Sequence, residues 1–132
     1  MKLPIALQLW SVRDQCNADS EGSLKKIKEA GYDGVEPYAL YGRTPEDFKK
    51  LLDDNGLVAV SSHVSIGEFE KEGGIEVVAE RYAKIGVNCI AIPYLPGEPK
   101  HAGGYEFPET LMSMKRSPRS WRKRRSARSR IS

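Results

Sequence analysis

The chain has no run of about 18 apolar residues, which leaves no candidate for a membrane-spanning helix. It begins "MKLPIALQLW" with neither a charged leader nor a small-residue cleavage site, so no signal peptide is expected and the cytoplasm is the expected location. Only two cysteines, Cys16 and Cys89, are present, far apart and without CxxC spacing. That excludes a disulfide scaffold and a cysteine-built zinc site. Cys89, inside "NCIAIPY", reads as a buried small apolar residue. No G-x-G-x-x-G or Walker-type loop follows the first strand-like run, so support is missing for dinucleotide or nucleotide binding. There is no HExxH pair, "SSH" at 61–63 lacks the glycines of a nucleophile elbow, and Cys16 carries no nucleophile signature. Acidic residues are absent from the last 18 positions, although those positions hold nine Lys and Arg.

What is present divides the chain in two. Of the 132 residues, 39% are hydrophobic, enough for the core of one domain. Residues 1–114 carry 12 Lys and Arg against 18 Asp and Glu, a balance of −6, so the overall charge of +3 comes from the nine cations after residue 114. Within the acidic segment a single unit recurs. "EAGY", "DNGL" and "KIGV" place Gly31, Gly56 and Gly86 after helix-like stretches, each followed by an apolar residue and then a short β-type run. Glycine there fits the left-handed position just past a helix end. The helix starts agree: Asp19 or Ser20 can cap a first helix with Leu24, Ile27 and Ala30 on one face, and Thr44-Pro45-Glu46-Asp47 opens a second over about 45–55. Ile75, Val78, Ala79, Tyr82 and Ile85 form the stripe of a third.

Strands are expected near 4–10, 33–37, 57–62 and 88–94, apolar on both sides as buried parallel strands are. Helix alternating with strand at this spacing is βαβ periodicity. Two architectures fit, an open doubly wound sheet and the opening arc of a (βα)8 barrel, which takes roughly 250 residues when complete.

In parallel α/β folds the chemistry gathers at the carboxyl ends of strands. Those ends read "LQLWSVRD", "GVEPYALYGR", "SSHVS" and "AIPYLP", and carry Gln8, Trp10 and Arg13, then Glu36, Tyr38 and Tyr41, then Ser62 and His63, then Tyr94. A cup lined by a carboxylate, an imidazole, a guanidinium and aromatic rings suits a polyhydroxylated ligand, whose C–H faces stack on rings while its hydroxyls bond to polar groups.

"IALQLWSVRD", "GYDGVEPYALYGRTPEDFKKLLDDNGL" and "SSHVSIGEFE", in this order and spacing, resemble the sugar phosphate isomerase/epimerase family with a xylose isomerase-like TIM barrel, over about Leu3 to Pro96. The resemblance implies an α/β fold of about four βα units, parallel strands with outer helices, forming the N-terminal half of such a barrel. It implies a sugar or sugar-phosphate ligand and, for the full-length family, a divalent metal such as Mn, Mg or Zn that assists proton shuttling. The family's metal is held by two Glu, an Asp and a His on later strands, so neither metal nor turnover is expected of this chain alone. Related barrels include abasic-site endonucleases, which leaves the reaction class open. By position Trp10, Glu36 and His63 map to the substrate-binding wall. Each has a second reading: Glu36 as a structural acid paired with Arg13, His63 as a hydrogen-bonded structural imidazole, Trp10 and Tyr94 as aromatic plugs. Glu36 and His63 supply two ligands at most where a catalytic ion usually needs three. His101 falls in a loop-like stretch and is expected to face solvent.

The two segments are then 1–114, the half-barrel, and 115–132, a basic Arg/Ser-rich tail expected to be disordered. "FPETLMSM" starts as a fourth helix should, and the apolar period stops at Lys115. Codons GAx and GCx read one base early encode mostly Arg, Ser and Gly, so a frame slip near residues 112–116 and a shortened product are expected. The rival reading is a nucleic-acid or anionic-surface arm, with Trp121 stacking on a base. A third is a half-barrel interaction module. A half-barrel also leaves strand edges and an inner face uncovered, so self-association is expected.

Overall fold

A computed structural model describes residues 2–71 and 73–94. The fourth helix expected from Pro108, His101, and the tail from Lys115 lie outside the described residues, as do the frame-slip and nucleic-acid readings attached to that tail.

Strand β1 (Ala6–Gln8) leads through a 3-10 turn (Leu9–Val12) into α1 (Arg13–Ala18) and α2 (Ser20–Glu29). Then come β2 (Gly34–Glu36), α3 (Pro45–Asp54), β3 (Val58–Ala59), β4 (Ser62–His63), α4 (Ile66–Lys71), α5 (Ile75–Lys84) and β5 (Ile90–Ala91). Every pairing is parallel: Gln8 opposite Glu36, Val35 opposite Ala59, His63 opposite Ala91. β1 pairs with β2, β2 with β3 and β4 with β5, always in sequence order and without the reversal that marks a doubly wound sheet. The fold is therefore the parallel, helix-backed arrangement of a partial TIM barrel.

The helices begin and end where local chemistry dictates. The Asp19 carboxylate accepts from Gly22 N at 2.9 Å and the Thr44 hydroxyl from Asp47 N at 3.1 Å, each satisfying an N–H that the first turn leaves free. At the far ends Gly31, Gly56 and Gly86 take φ of 96°, 66° and 90°. The next residue's N–H then folds back five positions: Tyr32 to Ile27 O, Leu57 to Leu52 O, Val87 to Tyr82 O.

The helices cover the outer face of the strands. Leu24 and Ile27 of α2, Phe48 and Leu52 of α3, and Val78, Ala79 and Tyr82 of α5 are buried with Val35, Leu57, Ala59, Val64 and Ile85. Full burial of side chains this size contributes about 1.5–3 kcal/mol each. Ala30, expected on the same stripe as Leu24 and Ile27, is instead the exposed cap of α2. The short helix α4 is not among the elements expected from the sequence. Its Glu68 accepts from Tyr82 at 3.0 Å and pairs with Arg81 at 3.4 Å, which ties α4 to α5.

The third strand differs from its expected form. The stretch 57–62 is not one regular strand but two short segments, β3 on β2 and β4 on β5. Val58 N and Val60 N donate towards β2, to Asp33 O and Val35 O, whereas Ser62 N and Val64 N donate the other way, to Cys89 O and Ala91 O. Burial shifts in step: Leu57 and Ala59 are buried, then Ser62 and Val64. One extra residue between Val60 and Ser62 breaks the alternation, which is a bulge. The strand expected over 88–94 shrinks to Ile90–Ala91, and Cys89, expected to be buried, is exposed. On the face opposite the helices Val58 and Val60 remain 57% and 43% exposed.

Candidate functional site

Gln8 and Glu36 are the last residues of β1 and β2 and stand directly opposite one another in register. Val35 points into the core, so its neighbours Gly34 and Glu36 point to the inner face. The bulge brings Ser61 and His63 to the same place. Had the strand kept its period of two from Val58, Ser62 would face the site. Instead Ser62 is fully buried and donates to Pro37 O at 2.8 Å.

Three inner-face side chains converge on the carboxylate of the fourth, Glu36. His63 Nε2 lies 2.9 Å from Glu36 Oε1, and Gln8 Nε2 lies 3.1 Å from the same oxygen. Ser61 donates to the other oxygen, Oε2. Glu36 and His63 side chains are 21% and 22% exposed, enough shelter to strengthen these contacts while leaving them open to a ligand. Partial burial alone would raise the Glu36 pKa. The Ser61 and Gln8 hydrogen bonds and the His63 charge together outweigh it, and the net value falls below the ordinary 4.5. The carboxylate is thus ionised at neutral pH, and it favours a proton on the facing ring nitrogen of His63. Among the described residues the other nitrogen, Nδ1, has no hydrogen-bond partner.

Of the three residues mapped to the wall, Glu36 and His63 meet and Trp10 stands apart. Trp10, 51% exposed, packs edge-on against Tyr38 at 4.9 Å between ring centres. The Arg13 guanidinium covers its ring at 5.0 Å and donates to Trp10 O at 3.2 Å. Arg13 is therefore engaged with Trp10, and the alternative in which it pairs with Glu36 does not hold. Tyr38 continues to Tyr41 at 5.9 Å, and Tyr41 to Phe48 at 6.2 Å, so an aromatic row runs from the surface into the core. Tyr94 is exposed.

Two members of the cluster do not stand out in the sequence. Gln8 is there one polar residue among several at strand ends, and its contact with Glu36 depends on the β1–β2 register. Ser61 is hidden by the bulge, which a single sequence does not announce.

A divalent ion does not fit the residues described. No group of three His, Cys, Asp or Glu side chains converges among them, and both Glu36 oxygens already accept hydrogen bonds. What the cluster offers is an acceptor, Nδ1, backed by an ionised carboxylate, together with polar groups spaced for hydroxyls. Among the described residues no helix is long and apolar enough to cross a membrane.

No protein-family model matches the chain, and no curated protein matches it. Among solved structures it is similar to a sugar phosphate isomerase/epimerase from Parabacteroides distasonis ATCC 8503, with a TM-score of 0.60 and 25% sequence identity. The match covers 75% of this chain and 41% of that one, so the chain spans less than half the length of the structure it resembles. The resemblance to sugar phosphate isomerase/epimerases read from "LQLWSVRD", "GVEPYALYGR" and "SSHVS" is borne out in three dimensions.

Proposed function

We propose that the described strands form the early-strand wall of a pocket for a sugar or sugar phosphate, of the isomerase/epimerase type, with Glu36 and His63 as its hydrogen-bonding pair. The observation that carries this is the 2.9 Å contact of His63 Nε2 with Glu36 Oε1 at the carboxyl ends of parallel strands, which engages Nε2 and leaves Nδ1 without a partner among the described residues. A carboxylate behind an imidazole fixes the ring and leaves its second nitrogen to bond a ligand hydroxyl. Trp10, half-exposed beside Tyr38 just past β1, supports the reading as an aromatic side chain of the kind sugars pack against. The similar structure from Parabacteroides distasonis, a sugar phosphate isomerase/epimerase, supports the reading through its shared fold over this span. The proposal for this chain is ligand binding. Turnover in the family's full-length members calls on a divalent ion, for which the described residues do not form a site.

Titration of the full chain with a ketose phosphate and with the unphosphorylated ketose, followed by calorimetry, tests it. Saturable binding is expected, weakened about tenfold or more by His63→Gln, as the loss of a hydrogen bond to a charged pair implies. Saturable binding indifferent to both His63→Gln and Glu36→Gln, or no binding of either sugar, would overturn it.

A further inference from the structure

Gln8, Glu36 and His63 form a closed triangle. Gln8 Nε2 is 3.1 Å from Glu36 Oε1 and 3.2 Å from His63 Nε2, and the third side, Glu36 Oε1 to His63 Nε2, is 2.9 Å. A ring nitrogen of a neutral imidazole carries either a proton or a lone pair, so the two sides that meet at His63 Nε2 cannot both be hydrogen bonds at once. They belong to different tautomers.

With the proton on Nε2, the ring donates to Glu36 and presents a lone pair at Nδ1. Gln8 then serves Glu36 alone. With the proton on Nδ1, the ring presents a donor outward, and Nε2 and Glu36 Oε1 face each other as two acceptors 2.9 Å apart. Two acceptors at that distance repel unless a donor stands beside both. The Gln8 amide nitrogen has two N–H groups and is within hydrogen-bond reach of each acceptor. Its orientation has a second support: the Ser11 hydroxyl points to Gln8 Oε1 at 3.4 Å, and a reversed amide would set its carbonyl against the Glu36 carboxylate.

We propose that Gln8 is a positioning residue that keeps both tautomers of His63 populated, so that Nδ1 can meet a ligand hydroxyl either as acceptor or as donor. A hydroxyl is itself both donor and acceptor, and a ring able to answer in either sense holds it whichever way its proton points. The inference rests on the reading above that Nδ1 faces the ligand, but its test needs no ligand.

The chain has two histidines, His63 and His101, so a His101→Gln background leaves His63 as the sole imidazole. With ring-¹⁵N-labelled histidine at alkaline pH, where the ring is neutral, long-range ¹H–¹⁵N spectra distinguish a nitrogen bearing hydrogen from one bearing a lone pair. In that background both nitrogens are expected at values between the two types. Gln8→Met keeps the length of the side chain and removes the donor. It is expected to lower the Nδ1–H population relative to Nε2–H by roughly 2- to 10-fold, the worth of one hydrogen bond. Should Gln8→Met fail to fold, Gln8→Asn, which keeps the amide but withdraws it by one methylene, gives the same reading. A parent spectrum already in one pure tautomer, or a folded Gln8 variant with unchanged nitrogen shifts, overturns the proposal. Loss of sugar binding alongside a normal tautomer response would instead sink the pocket reading and leave this one standing.

Discussion

Ser61 donates its hydroxyl proton to Glu36 Oε2, and it reaches that carboxylate because it is the extra residue in the pleat of the third strand. The adjacent hydroxyl, that of Ser62, turns to the opposite side and closes on Pro37 O. One inserted residue thus separates a site hydroxyl from a structural one. It also sets His63, next along, against Glu36. Bulges at barrel rims commonly re-aim side chains in this way.

The hydrogen bond from Ser61 predicts a pH signature. Glu36 has a lower pKa in the folded chain than its ordinary value, so its contribution to stability is fully present above that ordinary 4.5 and is lost as pH falls through the folded value. Ser61→Ala removes one of the interactions that lower it. The Glu36 pKa then rises and the acid limb of the stability profile moves to higher pH. At neutral pH the variant is expected to lose about 1–3 kcal/mol, because a hydrogen bond to a charged group disappears. Urea unfolding at a series of acidic pH values measures both, and an acid limb superimposable on that of the unaltered chain would contradict the assignment.

Gly34 is a steric requirement of the same rim. It lies opposite both Ala6 and Val58, and a Cβ placed on it would sit 2.7 Å from Val58 O and 3.1 Å from Val60 Cγ1. The nearer clash is with backbone and has no flexible end to move aside. Gly34→Ala should cost about 1–3 kcal/mol, as overpacking typically does. It should also weaken ligand binding, because β2 carries Glu36 two residues on. An unchanged urea midpoint would show that the β2–β3 spacing can widen freely.

Tyr41 is predicted to tolerate loss of its hydroxyl. The residue adopts a φ of 53°, unusual for anything but glycine, and its hydroxyl is buried without a hydrogen-bond partner. Burial first, and then the neighbouring Cys16 and Tyr38, push its pKa far above the ordinary 10.0, yet neither neighbour meets hydrogen-bond geometry with it. Tyr41→Phe should be neutral or stabilising by up to about 1 kcal/mol, since an unsatisfied buried oxygen is removed. A loss of more than that would reveal a partner for the hydroxyl.

The helices are legible in the sequence because their signals are local. Asp19, Thr44 and the glycines at 31, 56 and 86 act on N–H and C=O groups within a few residues, and all five do what their positions imply. Strand extents are not legible in the same way. A short parallel strand lasts only as long as its neighbours pair with it, so Val58–Ala59 and Ile90–Ala91 fall short of the apolar runs that contain them. The direction a strand residue faces inherits that weakness, and alternation from Val58 selects Ser62 where the fold uses Ser61. Glu36 and His63 can be named because each ends its strand, whereas their mutual contact, and Gln8 beside them, depends on register.

The inner face leads to a prediction about assembly. Val58 and Val60 lie more than two-fifths exposed opposite the helix-covered side, and in a ring of strands that face would look onto other strands. Among the described residues β1 pairs only with β2, and β5 only with β4, so the outer edge of each offers unpaired N–H and C=O groups. Apolar surface beside open strand edges favours contact with another such surface. The purified chain is therefore expected to self-associate as its concentration rises. Val58→Lys with Val60→Lys should reverse this, because a cation on each strand position opposes burial against a second copy. The exposed ends of both side chains leave room for the substitution at little cost to the core. Sedimentation velocity over a hundredfold range of concentration decides the matter: a well-folded monomer throughout, in the unaltered chain, would mean that this face does not drive association.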